Sequence, residues 1–127
     1  MTQVVAAILE KDGRILICQR QAGQAHAQKW EFPGGKIEHE ETPEQALARE
    51  LREELGIDTG LVEAIESYAY AYPGKAPIEL LFYRVRSWTG TPRNLIFQDM
   101  RWEEPAGLHR YDFLEGDLPF LSRFVPA

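Results

Sequence analysis

Glu50, Glu53 and Glu54 lie within five residues of one another in the segment 43–55. At about 100° per residue the three carboxylates share an arc of about 100° on one side of a helix. Leu47, Leu51 and Leu55 form an apolar stripe beside that arc. Like charges three and four apart destabilise a helix by roughly a few tenths of a kcal/mol when exposed. At the edge of a core the cost rises, because low dielectric strengthens repulsion. A divalent cation removes it. Oxygen donors with no His or Cys beside them suit Mg²⁺, with Mn²⁺ as a substitute, better than Zn²⁺. The competing reading is a solvated Glu-rich helix, since Arg49 is spaced to pair with Glu53 at i, i+4 and Glu is a good helix former.

The wider spacing separates these readings. Gly35 is followed by five residues and Glu41, then by seven residues and Arg49-Glu50-Leu51-Arg52-Glu53-Glu54-Leu55-Gly56-Ile57. This resembles the Nudix box, which runs Gly, five residues, Glu, seven residues, Arg-Glu-apolar-any-Glu-Glu-any-Gly-apolar, and every specified position matches. The segment Trp30-Glu31-Phe32-Pro33-Gly34-Gly35-Lys36-Ile37-Glu38 resembles the lead-in of MutT-type members, which are nucleoside triphosphate pyrophosphohydrolases. The helix start Thr42-Pro43-Glu44-Gln45-Ala46 is similar to theirs as well.

The resemblance implies a Nudix fold, an α/β/α sandwich with a mixed β-sheet. It also implies roles for individual residues. Glu50, Glu53 and Glu54 would be the metal ligands, with Glu53 or Glu54 also placed to orient or deprotonate water. The Gly35 carbonyl would be an extra ligand, and Asp99 a further acid from a later loop. Arg49 would fix the carboxylates by charge-assisted pairing, and Glu41 would shape the loop before the helix. Arg20 matches an arginine that MutT-type proteins direct to the nucleotide phosphate. Lys36 is either a phosphate contact or a solvated loop lysine. Phe32 is expected to wall the base. Asp117, just before the last helix, either reads the base or only caps that helix. The implied reaction converts a (d)NTP and water to a (d)NMP and pyrophosphate, sanitising the nucleotide pool with 8-oxo-dGTP as first substrate. CTP or a modified dCTP is the alternative, as is a nucleoside diphosphate-sugar. Outside enzymes the alternative is a nucleotide-binding module that has kept the fold without turnover.

Several elements must position these groups. Val4–Leu9 is a short continuous apolar run and predicts a strand buried on both faces. Lys11-Asp12-Gly13 predicts a turn into a second strand, Arg14–Arg20, followed by a polar loop over 21–29. Trp30-Glu31-Phe32 predicts a brief strand closed by Pro33-Gly34-Gly35. The clearest helix is Pro43–Leu55, with Thr42 and Gln45 spaced as a capping box, Pro43 at the first position and Gly56 at the C-terminal cap. Strands follow at Leu61–Tyr72 and Ile78–Val85, with a turn at Pro73-Gly74-Lys75, a loop over Trp88–Asn94 and a strand at Met100–Glu103. Pro119–Val125 predicts a last helix capped by Asp117. Tyr68, Tyr70 and Tyr72 alternate along one strand face and predict sheet packing or a partner surface. Trp88, Trp102 and Phe124 are expected in the core, Cys18 buried and inert, and His26, His39 and His109 on the surface.

Composition bounds the rest. The 127 residues are one domain's worth, expected to span 1–127. Lys plus Arg is 14 and Asp plus Glu is 20, a net charge of −6. That argues against gripping polymeric nucleic acid, whose affinity comes from Lys and Arg on phosphates. A metal can still reverse the local sign for a small phosphorylated ligand. The single cysteine makes no internal disulfide. No run approaches the roughly 20 apolar residues of a membrane span, and the N-terminus lacks a signal peptide's pattern. The expectation is a cytoplasmic monomer or homodimer.

Overall fold

A computed structural model describes residues 1–125 of the chain. Its backbone follows the order β1 (Thr2–Lys11), β2 (Arg14–Gln19), β3 (Trp30–Glu31), β4 (Gly34–Lys36), α1 (Pro43–Leu55), β5 (Asp58–Thr59), β6 (Val62–Tyr70), β7 (Ile78–Val85), β8 (Trp88–Thr89), β9 (Asp99–Glu103) and α2 (Leu118–Phe124). Two 3₁₀ turns, Pro105–Arg110 and Glu115–Asp117, precede α2.

The seven-stranded sheet is mixed: β1 runs parallel to β7, and β6–β7, β1–β2, β1–β4, β2–β3 and β2–β9 are antiparallel. Alternation along β1 and β2 sorts their side chains into two cores. Val5, Ala7, Leu9, Leu16 and Cys18 face α1 with Leu47, Leu51 and Leu55. Ala6, Ile8, Ile15 and Ile17 face the opposite side with Leu108, Phe120 and Leu121. Helices therefore cover both faces of the sheet, which explains why Val5–Leu9 carries no polar residue.

Local signals were strong where they were complete. The β1–β2 turn puts Asp12 at φ 54° and Gly13 at φ 74°, the pair of left-handed residues a two-residue hairpin demands. In α1 the Thr42 hydroxyl accepts from the Gln45 N–H at 3.1 Å, and the Gln45 side-chain oxygen accepts from the Thr42 N–H at 2.9 Å. Gly56 ends the helix at φ 69°.

Four expectations are corrected. Pro33-Gly34-Gly35 does not close a strand; Gly34 and Gly35 begin β4, registered against Ala6 and Val5. The stretch Trp88–Asn94 is not all loop, because Trp88 and Thr89 pair with Thr59 and Asp58. The tyrosine strand ends at Tyr70, leaving Tyr72 in the connection to β7. Asp117 precedes α2 but makes no side-chain cap bond; the Tyr68 hydroxyl accepts the Phe120 N–H at 3.2 Å instead.

The feature that creates a site is a fork in the sheet. The first half of β1 pairs with β4, while only its last residues, Glu10 and Lys11, pair with β2. β2 then diverges to lie between β3 and β9. The Ala7 N–H bridges the fork by donating to the Pro33 carbonyl at 2.8 Å.

Candidate active site

The fork opens into a cleft of about 640 Å³. Charged side chains in its lining include Arg20, Glu31, Lys36 and Glu54, together with Gly34 and Gly35. Phe32, Tyr72, Ile78, Leu80 and Leu114 supply aromatic and apolar lining to the same cleft, and Asp117 is a buried acid in it. Arg20, Phe32, Lys36, Gly35, Glu54 and Asp117 thus meet in one cavity, although they span nearly the whole chain.

The acids of α1 differ in burial according to their angle from the leucine stripe. Glu54, about 20° from Leu47 by helical geometry, is only 7% exposed. The Glu50 side chain, about 60° away, is 15% exposed, and that of Glu53, on the far side, is 60% exposed. Glu54 accepts the Gly34 N–H at 3.2 Å and has the Glu50 carboxyl as its neighbour. Burial first, and then Glu50, pushes Glu54 well above the ordinary carboxylate range.

Arg49 is the organiser of this face. Its Nε and Nη2 grip both Glu41 carboxylate oxygens at 2.7 and 2.9 Å. Its Nη1 donates to Glu50 at 2.8 Å, and its Nη2 also donates to the Lys36 carbonyl at 3.0 Å. Glu53 lies 3.6 Å from Nη1. Glu41 further accepts the Glu38 N–H at 2.8 Å, and the Arg49 bonds hold its carboxyl down at about 2. The forked guanidinium ties loop 36–41 to the helix, a geometry that lysine does not provide.

Two glycines let the backbone into this corner. A Cβ on Gly35 would stand 2.5 Å from the Glu50 carboxyl carbon, whereas one on Gly34 would strike the Val5 carbonyl oxygen in β1. Gly35→Ala is therefore expected to keep the fold and displace Glu50, losing activity at least about 10-fold with a small change in melting temperature. Gly34→Ala, at φ 154° and against unyielding backbone, is expected to destabilise by about 2 kcal/mol or more. Thermal melts and initial rates on the two proteins check the contrast.

Glu31 was missed by sequence reasoning as a site residue. The available signal was an acid between two aromatics in a strand, Trp30 and Phe32, both of which are buried. Its carboxylate accepts from Arg20 Nη1 at 3.2 Å. Burial, opposed by Arg20 and reinforced by Glu50, brings it to about 7. Arg20 lines the cleft with Nε committed to the Ala25 carbonyl at 2.9 Å. Asp117 is 5% exposed and pushed up to about 8, by burial first and then by the Glu31 charge, with the nearby Phe32 N–H acting in the opposite direction. Asp99 stands apart. It opens β9 opposite Gln19, its carboxylate accepts from Arg101 Nε at 3.0 Å and from the Met100 N–H at 2.8 Å, and it does not line the cleft. His26 lies on the surface as expected, yet its ring meets that of Tyr72 at 4.7 Å and both line the cleft. Cys18 is fully buried, and burial holds its thiol protonated.

The donor set fits a hard divalent cation. It is all oxygen, it includes a buried carboxyl pair that lacks a positive partner at Glu54, and it sits beside the Gly35 backbone. As the side chains stand, no three acids, His or Cys among the described residues enclose a single point. Glu53 is turned out toward Arg49, so it would have to swing in to share an ion with Glu50 and Glu54.

Comparison with known proteins agrees with this geometry. A family model described as the NUDIX domain matches residues 1–124. A CTP pyrophosphohydrolase of Escherichia coli is 41% identical over 125 residues, covering 98% of this chain and 92% of that protein. An 8-oxo-dGTP diphosphatase of Haemophilus influenzae is 40% identical over 124 residues, covering 97% and 90%. A solved MutT structure, from work on the Aliivibrio salmonicida and Vibrio cholerae proteins, matches with a TM-score of 0.82 at 30% identity, covering 98% of this chain and 96% of that one. Carboxylate helix, forked sheet and relatedness over nearly the full length lead to one assignment: the chain belongs to the NUDIX family.

Proposed function

We propose that this protein hydrolyses nucleoside triphosphates to monophosphate and pyrophosphate, with 8-oxo-dGTP as the first substrate. The observation that carries the reading is one cleft whose lining combines the charged side chains of Glu54, Lys36 and Arg20 with Phe32 and the buried acid Asp117. A triphosphate matches the charged side chains, and a base matches the aromatic and apolar ones with their buried acid. Glu50, Glu53 and Glu54 would hold Mg²⁺, with the Gly35 carbonyl as a further donor. When bound, the ion would neutralise polyphosphate charge and acidify the attacking water. Glu53, the most accessible of the three, takes the water proton as the new oxygen–phosphorus bond forms at the β position. The bond to the α-phosphate oxygen breaks, and the monophosphate leaves. Arg49 holds Glu50 and Glu41 in place through this step, and Arg20 and Lys36 offset charge on the phosphates. Asp99, bonded to Arg101 outside the cleft, has less support as a ligand than Glu31, which lies within it.

At neutral pH a carboxyl that titrates near 8 is a neutral acid, offering one donor and one acceptor. The edge of 8-oxoguanine presents N7–H and O6, a donor and an acceptor, where guanine presents two acceptors. Cytosine presents N3 and its exocyclic amine, an acceptor and a donor. The same acid therefore suits cytidine triphosphates, the second reading, favoured by the 41% identity to a CTP pyrophosphohydrolase.

A steady-state panel of normal and oxidised (d)NTPs with Mg²⁺, followed by pyrophosphate release, tests the reaction. Binding without turnover would indicate a nucleotide-binding module, and cleavage of ADP-ribose alone a nucleoside diphosphate-sugar hydrolase. Asp117→Ala is expected to flatten base preference by about 10-fold or more through KM, since a site built to hydrogen-bond a group discriminates strongly by it. Uniform loss on every base would mark Asp117 as structural only.

A further inference from the structure

We propose that Tyr68 and Tyr72 act as positioning residues that clamp the Gly116 peptide and thereby aim Asp117 into the cleft, making them determinants of base selectivity. The inference rests on the reading of Asp117 as the base contact. Both backbone polar groups of Gly116, which lie in successive peptide units, are held: the Tyr72 hydroxyl accepts the Gly116 N–H at 2.9 Å, and the Tyr68 hydroxyl donates to the Gly116 carbonyl at 2.6 Å. Tyr68 also accepts the Phe120 N–H, which fixes the first turn of α2 on the other side of Asp117. Asp117 is thus released from capping, and the backbone on both sides of it is pinned by hydroxyls from β6 and the connection that follows. Gly116 is buried, and a Cβ there would meet the Tyr72 oxygen at 2.8 Å, so the clamp admits only glycine at its centre without moving. The rings are fixed in turn. Tyr68 stacks on Phe82 at 5.6 Å, and Tyr72 packs against Tyr70 at 4.9 Å and His26 at 4.7 Å. The two successive peptide planes that meet at Gly116 are thus each held by one tyrosine, and the second of them leads directly into Asp117; leaving either buried group unpaired is costly.

The test is a double-mutant cycle read as the ratio of kcat/KM between the best and a poor base. Tyr72→Phe keeps the ring and removes one clamp bond; it is expected to cut the ratio by about 5-fold, the worth of one neutral hydrogen bond. The loss should reside in KM, and it should vanish in the Asp117→Ala background. Tyr68→Phe provides a second, independent arm with the same expectation. An equal Tyr72→Phe effect with and without Asp117 would overturn the clamp, since a purely structural role is indifferent to Asp117. An effect of Asp117→Ala with none from either tyrosine would overturn the clamp while leaving Asp117 as the base contact. No effect of Asp117→Ala on the ratio would overturn both.

Discussion

Glu53→Gln is expected to fold normally and to lose at least about 100-fold in kcat, the scale of removing a general base or a key electrostatic group. The fold should be indifferent because the Glu53 side chain is 60% exposed and its one ion pair, with Arg49, is long at 3.6 Å. Exposed pairs of this kind contribute only about 0–1 kcal/mol. The amide keeps the shape and discards both the charge and the basicity, so rate and stability separate cleanly. Glu54 offers no such separation, since its carboxyl is buried against Gly34 and Glu50. Initial rates and thermal melts on the same preparation decide the matter. A Glu53→Gln rate within a few-fold of the parent would remove Glu53 from the mechanism and move the proton transfer to another group.

Stability of the metal-free protein should fall as pH rises from 5 to 8, by at least about 4 kcal/mol, and millimolar Mg²⁺ should restore part of the loss at pH 8. Glu31 at about 7 and Asp117 at about 8 are raised above the values near 4 of unfolded carboxyls, and Glu54 is raised as well. Between those limits the native state holds protons that the unfolded state has released. The contribution is therefore complete below about pH 4 and is lost as pH climbs through the folded values. Each retained proton is worth about 1.4 kcal/mol per pH unit, so Asp117 alone contributes about 4 kcal/mol over three units and a melting shift of roughly 15 °C, and Glu31 and Glu54 add to it in the same direction. Glu41 and Glu103 shift the opposite way, and their stabilisation is lost only below about pH 4.5, outside this window. A divalent cation does the work of the missing protons at the α1 face, so its effect on melting should be larger at pH 8 than at pH 5. A flat profile between pH 5 and 8 would mean that these acids are ionised and hydrated in the native protein.

The two expectations depend on different kinds of information. Glu53 follows from helical spacing and the box pattern, and the structure altered only its surroundings. The pH profile follows from burial, which no spacing rule supplies. Glu31 reads in sequence as one acid in a short strand, and its shifted titration arises because Glu50, Arg20 and the cleft wall converge on it from three other segments.

Tyr68, Tyr70 and Tyr72 illustrate a partial reading. Period two correctly put the first two on one strand, and Tyr68 does pack on the sheet. The hydroxyls are what sequence could not assign, because their partners, Gly116 and Phe120, lie 44 to 52 residues away. The same contact explains the failed expectation for Asp117. A residue preceding a helix is a good N-cap by type, but here a tyrosine from another strand reached the vacant N–H first.

By itself the sequence determined α1 from cap to cap, the two-sided burial of β1, and the family to which the carboxylate pattern belongs. Those features are encoded by neighbours within a few residues, where period and capping chemistry act locally. Only the tertiary structure decided that β1 and β2 part into a fork, that Glu31 joins the acids of α1, and that Asp117 faces a cavity rather than its own helix. Each of these depends on contacts between distant segments and on the loss of water around charged groups, and neither is written in local spacing.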